Sequence, residues 1–576
     1  MIEIFGKFRI LLDRKEQRGA VWLLLMSIVG AFFEMLGVSL VVPLMTAITE
    51  PELVTRSALL TRLCAALGIQ GHRQFIVLCI LAMLAVFILK YLYMILRSAC
   101  TARFIYNNRF RMQQKMLRAF LRKPYEYYLT AQTGEILRII RADVMNTYSL
   151  LGTLISLISE SVVSLAIILV VVWIDPLMTL LIAAVLTVMV LIIAKLIKPI
   201  LREEGVRQRA NLSKSYKWLL QSVQGIKEIR IGGREAFFEE RFGEAGKAQV
   251  ASEMRYAVLN RIPRIILEMG CICSALIAML VMILHGREPS TLLPSFAAFA
   301  MAAVKLMPAF NRILNAVSTI SYHGPSIDRL IENSRSPEEA RDAEDHGGAE
   351  ITLTDRVECR DVTFRYAPDA EPILENASMT VLAGQSVGIS GLSGAGKTTT
   401  VDVLLGLLKP EKGVILCDGV DITQNYRAWL EHVAYIPQSI FMLDGTIREN
   451  VIFGSPLTDD SKVWKALEDA KLADFVRNLK AGLDTEIGER GVRLSGGQRQ
   501  RIGIARALYS DPELLVFDEA TSSLDTETEA AIMEAIHALH GEKTMIIIAH
   551  RYDTIKNCDI LYRVIDRKIE RVEEQT

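Results

Sequence analysis

The sequence predicts a multidomain membrane protein: an all-α region of six membrane-crossing helices followed by an α/β domain. Three observations carry that fold class. Nearly every long apolar run lies before residue 325. Beyond residue 350, strand-like and helix-like segments alternate in ordinary soluble composition, the pattern of an α/β domain. A glycine-rich stretch, "GLSGAGKTTT" (391–400), joins "QSVGIS" to "VDVLLGLL", a strand-to-helix setting that a phosphate-binding loop requires.

A chain of 576 residues exceeds what one core supports, so two or more domains are expected. The formal net charge of zero gives no sign of a nucleic-acid partner. The eight cysteines are scattered without metal-ligand spacing and read as packing residues.

A membrane span needs about 20 predominantly apolar residues. Six stretches qualify, at roughly 20–48, 74–97, 148–174, 177–198, 261–285 and 291–322. Asp175-Pro176 reads as a tight turn, and 285–290 as another. The connections 98–147 and 199–260 carry nine and eleven Lys and Arg against three and eight acids. Their basic bias places the N-terminus, both long loops and the C-terminal domain in the cytoplasm. Both loops keep helical periodicity, so the spans are expected to run on as helices. Outside, "LLTRLCAALGI" (59–69) has the spacing of a short interfacial helix or of an ordinary packed loop helix.

In the phosphate loop, Gly391, Gly394 and Gly396 let the backbone curl so that its N–H groups face phosphate oxygens, with Ser393 and Ala395 between them. The following helix start adds its positive end. Lys397 is placed to reach the β- and γ-phosphates, Thr398 to ligate Mg²⁺, and Thr399 to continue the cradle. "LLVFDEATSSLD" (514–525) is a buried strand ending in Asp518, for the Mg²⁺ shell, and Glu519, to polarise the attacking water. "LSGGQRQRIGIARAL" (494–508) opens a helix with a second anion-binding turn, which calls for a phosphate from elsewhere.

Taken together, these motifs resemble the ATP-binding cassette family, in family order across 357–551. The resemblance implies ATP and Mg²⁺ as cofactors and hydrolysis coupled to transport. It implies that Tyr366 stacks on adenine and that Gln438 links the γ-phosphate and metal site to the membrane region. It further implies that Ser495, Gly496, Gly497 and Gln498 close on a partner subunit's ATP, that Ser523, Leu524 and Asp525 join two sites, and that His550 contacts the γ-phosphate. A homodimer in the cell's inner membrane is therefore expected. Residues 1–325 would form the transmembrane domain, 326–350 the linker and 351–576 the nucleotide-binding domain. "KPYEYYLTAQTGEILRIIRADV" (123–144) and "GIKEIRIGGREAFFEERF" (225–242) resemble the coupling loops of six-span exporters. "IPRIILE" (262–268), "KLMPAFNRIL" (305–314) and "FFEMLGVSLVVPLM" (32–45) resemble bacterial lipid-linked oligosaccharide flippases. That likeness implies a polyprenyl-pyrophosphate-linked oligosaccharide as substrate. The rivals are a multidrug, peptide or other lipid exporter, and a regulatory ATPase or gated channel.

Lys90, Arg264, Lys305 and Arg312 lie well inside the apolar stretches. At about 1.5 Å per residue from each outer end, Lys90 is roughly 24 Å deep and Lys305 roughly 21 Å, with Arg264 and Arg312 both roughly 32 Å. Lipid exposure of such charges is expensive. They are expected either to line a cavity and bind a phosphate or pyrophosphate headgroup, or only to pair with Glu34, Glu160 or Glu268.

Overall fold

The computed structural model describes residues 2–39, 72–174, 176–284, 289–334, 351–456, 458–519, 526–549 and 551–572, with the backbone alone for parts of the membrane helices. The chain divides into two compact units, 1–123 with 130–337, and 124–129 with 338–576.

In chain order the helices of the first half are α1 (Ile2–Leu11), α2 (Arg14–Ser39), α3 (His72–Leu121), α4 (Tyr125–Thr130), α5 (Thr133–Arg138), α6 (Val144–Ile174), α7 (Pro176–Gln224), α8 (Ile226–Gly232), α9 (Glu235–Leu284) and α10 (Pro289–Ser334). The expected continuation of spans into the long loops is present. α3 is 50 residues long, α7 is 49 and α9 is 50. Apolar and basic stretches differ in solvent preference but share helical periodicity, so no break separates them. Leu81, Leu84, Ile88, Leu92 and Ile95 form an exposed row along α3. That spacing marks one helix face, and such a face belongs against lipid rather than water. α7 packs along α9, and α10 along α6.

Residues 326–334, assigned by composition to the linker, are instead the end of α10. Ile327 and Leu330 are fully buried there, so two apolar residues at helical spacing outweigh a charged neighbourhood. The rest of that stretch, the 59–69 segment and Asp175 lie outside the described residues. The two stretches expected to couple the halves each hold a short helix, α4 and α8. A π-helical turn, Ile139–Asp143, joins α5 to α6. Its Asp143 is buried against Arg138 at 3.0 Å and accepts from Ser326 at 2.8 Å.

The second unit holds two sheets. β1 (Arg356–Phe364), β2 (Leu374–Leu382), β4 (Lys412–Cys417) and β5 (Val420–Asp421) form an antiparallel sheet in the order β2-β1-β4-β5. β3 (Ser386–Ser390), β6 (Val433–Ile436), β7 (Leu514–Asp518), β8 (Thr544–Ile548), β9 (Ile560–Ile565) and β10 (Lys568–Arg571) form the second, ordered β10-β9-β3-β8-β7-β6. It is parallel except for β10. Because successive side chains alternate across a strand, Leu515, Phe517, Met545 and Ile547 enter one core. Leu514, Val516, Ile546 and Ile548 enter the other. Burial on both faces explains the unbroken apolar runs of β7 and β8. It also brings the ends of β3 and β7 side by side around β8.

Candidate functional site

The phosphate loop leaves β3 at Ser390, and α11 (Lys397–Leu404) begins directly after it. Its curl depends on glycine. Gly391 has φ +151°, and a Cβ there would lie 2.7 Å from the Val564 carbonyl oxygen. Gly396 has φ +103°, and its Cβ would meet the Ile373 side chain at 2.8 Å. Any other residue would strain the backbone and collide. The Ala395 N–H donates to the Leu392 carbonyl at 3.1 Å, closing the turn that carries Ser393 and Gly394. Lys397 is buried and donates its Nζ to the Gly391 and Leu392 carbonyls, both at 3.1 Å. Its charge thus stays inside the curl.

β7 delivers the acids. Oδ1 of Asp518 lies 3.5 Å from the Thr398 hydroxyl, and Oδ2 accepts from the Tyr435 hydroxyl at 3.0 Å. A hydroxyl and a carboxylate oxygen at that spacing are hard oxygen donors suited to Mg²⁺, which is usually held by one or two carboxylates together with substrate phosphates. Burial holds the Asp518 carboxyl above the usual range, against the hydrogen bond from Tyr435, which pulls it down. Burial, and then the nearby Asp518, push Asp402 of α11 up to about 6. Glu519 follows with φ +49°. A left-handed conformation is unusual for glutamate and is often found where function over-determines the backbone. Its N–H donates to the Ile548 carbonyl at 3.0 Å, and its carboxylate accepts from the Gln438 amide at 2.9 Å. Gln438 and Glu519, 81 positions apart, therefore meet.

Tyr366 is exposed, packs edge-on against Phe364, and shares a 2.9 Å hydrogen bond with the Thr399 hydroxyl. Its hydroxyl therefore sits beside the phosphate loop. Ser495 caps α12 (Gly496–Tyr509) through a reciprocal capping box with Gln498. The S-x-x-Q spacing announces that cap in the sequence. Ser495 and Gly496 are exposed, whereas Gly497 is buried. Ser495 exchanges hydrogen bonds with Gln498 and its carbonyl accepts from the Arg499 N–H at 3.0 Å; none reaches the phosphate loop. Ser523, Leu524, Asp525 and His550 lie outside the described residues. Tyr435 was not singled out by sequence reasoning, because its partner Asp518 is 83 positions away.

In the first unit, a cavity of about 900 Å³ is lined by Arg97, Arg109, Arg312 and Glu160, with hydroxyl groups from Thr101, Ser156 and others. Arg97 closes the apolar stretch 74–97 and was given no role by the sequence, and Arg109 was counted only toward the charge of the loop 98–147. Of the four intramembrane cations, Arg312 alone lines this cavity among the described residues, and it pairs with Glu160 at 2.6 Å. Arg264 pairs with Glu268 at 2.8 Å along α9. Lys90 lies 5.7 and 5.6 Å from the Phe87 and Tyr91 rings. The side chains of Lys305 and Glu34 lie outside the described residues. Two of the carboxylates named as alternative partners are therefore engaged.

Comparison with known proteins covers both halves. Residues 20–304 match the family described as ABC transporter transmembrane region, and 374–522 the family described as ABC transporter. The chain is 31% identical over 456 residues, 78% of its length and 74% of the relative's, to an uncharacterized ABC transporter ATP-binding protein, YfiC, of Bacillus subtilis. It is 29% identical, over 78% of this chain and 76% of the relative, to an ATP-dependent lipid A-core flippase of Ralstonia nicotianae. In fold it is similar to a bacterial Atm1-family ABC exporter with ATP bound, with a TM-score of 0.77 at 22% identity, over 97% of this chain and 95% of that one.

Proposed function

The chain belongs to the ABC transporter family, an integral membrane ATPase coupled to transport, and from that premise we propose that it is a homodimeric flippase or exporter. Its substrate is an amphiphile with an anionic headgroup, such as a polyprenyl-pyrophosphate-linked oligosaccharide. The observation that carries this reading is the cavity of the first unit, where three arginines face one carboxylate. Guanidinium groups fork onto phosphate oxygens, and a cavity with two excess positive charges suits a phosphate-bearing headgroup better than a cationic drug. The lipid flippases among its relatives support a lipid substrate.

The signature turn supports the homodimer. Ser495 and Gly496 are exposed and bond nothing in their own chain's phosphate loop, which suits donors that complete a site in a second copy. Mg²⁺ would be held by Thr398 and Asp518, with Gln438 close by through Glu519. When bound, it would supply charge neutralisation of the phosphates. The chain's own groups do the rest. The loop N–H groups and Lys397 grip the phosphates, Tyr366 stacks on the base, and Glu519 orients the attacking water. The basic loop bias supports placing the nucleotide-binding domain in the cytoplasm, with the helical region in the inner membrane.

The test is ATPase stimulation and flux in proteoliposomes against a panel of substrates. Pyrophosphate-linked polyprenyl glycans should stimulate hydrolysis and be moved. Stimulation by hydrophobic cations or peptides alone would replace this reading with that of a multidrug or peptide exporter.

A further inference from the structure

Glu160 grips Arg312 with both oxygens. Nε donates to Oε1 at 2.6 Å and Nη2 to Oε2 at 2.8 Å. This fork-to-fork geometry makes arginine–carboxylate pairs directional and strong. The two residues sit on α6 and α10, 152 positions apart, so the pair ties together two helices that pack along each other. Glu160 is 16% exposed, while Arg312 is 53% exposed.

The remaining charges of the cavity wall do not depend on this carboxylate. Arg97 donates to the Ser159 hydroxyl at 3.5 Å, and Arg109 lies over the Tyr106 ring at 4.8 Å. Neither has an acid within ion-pair distance among the described residues. Glu160 is the one acid among the described residues of the lining. It occupies the guanidinium fork that an incoming anion would need, and its own charge opposes that anion.

Resting on the substrate reading above, we infer that Glu160 is a displaceable latch and a specificity-determining residue. A phosphate or pyrophosphate group entering the cavity takes the Arg312 fork from Glu160, with Arg97 and Arg109 adding charge, and so unties α6 from α10. A phosphate group offers more oxygens and more charge than a carboxylate, so the exchange favours it. A neutral or cationic amphiphile has nothing to offer the fork, and the latch stays shut.

The test uses the full chain in nanodiscs of phosphatidylcholine. A fluorescent phosphatidic acid supplies a lipid-borne phosphate, and inorganic pyrophosphate, titrated separately, supplies a free one. Glu160→Gln should tighten binding about fivefold, the scale of one released ion pair. The gain should vanish in the double variant Glu160→Gln, Arg312→Gln. Tightening in the lipid arm alone assigns the site to lipid-borne phosphate, and tightening in both arms to phosphate from either source; each supports the latch. Wild-type binding that Glu160→Gln leaves unchanged, or a gain that persists in the double variant, overturns the latch alone. Absence of wild-type binding in both arms overturns the substrate reading with it. Should Glu160→Gln fail to fold, Glu160→Asp, which keeps the charge but shortens the reach, should still give part of the tightening.

Discussion

The Tyr435 hydroxyl donates to one oxygen of the Asp518 carboxylate at 3.0 Å while the Thr398 hydroxyl stands 3.5 Å from the other. The tyrosine thereby fixes the carboxylate's rotation and leaves Oδ1 turned toward the phosphate loop. Tyr435→Phe keeps the ring and removes only the donor. The Mg²⁺ concentration for half-maximal ATPase should rise about tenfold, near the lower end for a hydrogen bond to a charged group. Mn²⁺ binding to the ADP complex, read by electron paramagnetic resonance, should weaken in step. Metal-free ATP binding should not change. Unaltered Mn²⁺ affinity would show that Tyr435 serves packing alone.

Glu519→Gln preserves shape and can keep a contact with Gln438, but it removes the charge proposed to orient water. Hydrolysis should fall at least ~100-fold, the low end of general-base effects. Fluorescent ATP analogues should still bind. Wild-type turnover in the purified variant would remove Glu519 from its assigned role.

Gly391→Ala and Gly394→Ala separate collision from backbone strain. Both positions have positive φ, yet a Cβ at Gly394 meets nothing within 4 Å, whereas at Gly391 it runs into the Val564 carbonyl. The Gly394 variant should lose about 1–2 kcal/mol through the left-handed backbone alone. The Gly391 variant should lose more, seen as a larger drop in both thermal midpoint and nucleotide affinity. Equal losses would mean that the Val564 carbonyl yields freely.

The motifs carried by contiguous residues were legible in the sequence, because a loop such as 391–398 needs only its neighbours to define its shape. The long helices were legible for the same reason, through periodicity. What stayed hidden was made by pairs far apart in the chain: Tyr435 with Asp518 and Gln438 with Glu519. The pairs of Arg312 with Glu160 and Arg264 with Glu268 were among the alternatives the sequence raised. The left-handed backbone of Glu519 has no sequence signal, since glutamate gives no hint of positive φ. Residues 326–334 misled because window composition hid Ile327 and Leu330. Arg97 was passed over as the last residue of its span, and Arg109 because it falls in the loop after that span.

His323 links stability to pH. Burial, and then the charge of Arg209, lower its pKa to about 4, below the ordinary value of about 6.5. The unfolded chain therefore binds the proton first. Stability is fully present above about pH 6.5 and is lost as the pH falls toward 4. The thermal midpoint of the wild type should drop across that window, and His323→Leu should flatten part of the drop. An identical slope in the variant would assign the acid sensitivity to other groups.

The uninterrupted course of α3 has a mechanical consequence. Its 50 residues amount to a rod of about 75 Å. Each degree of tilt about one end then sweeps the other by about 1.3 Å. A rod without a hinge cannot absorb such a sweep locally, so a tilt of a degree or two at its Leu121 end becomes a displacement the size of a side chain at the other. Inserting a flexible Gly-Gly pair midway would leave both ends folded and disconnect the stroke.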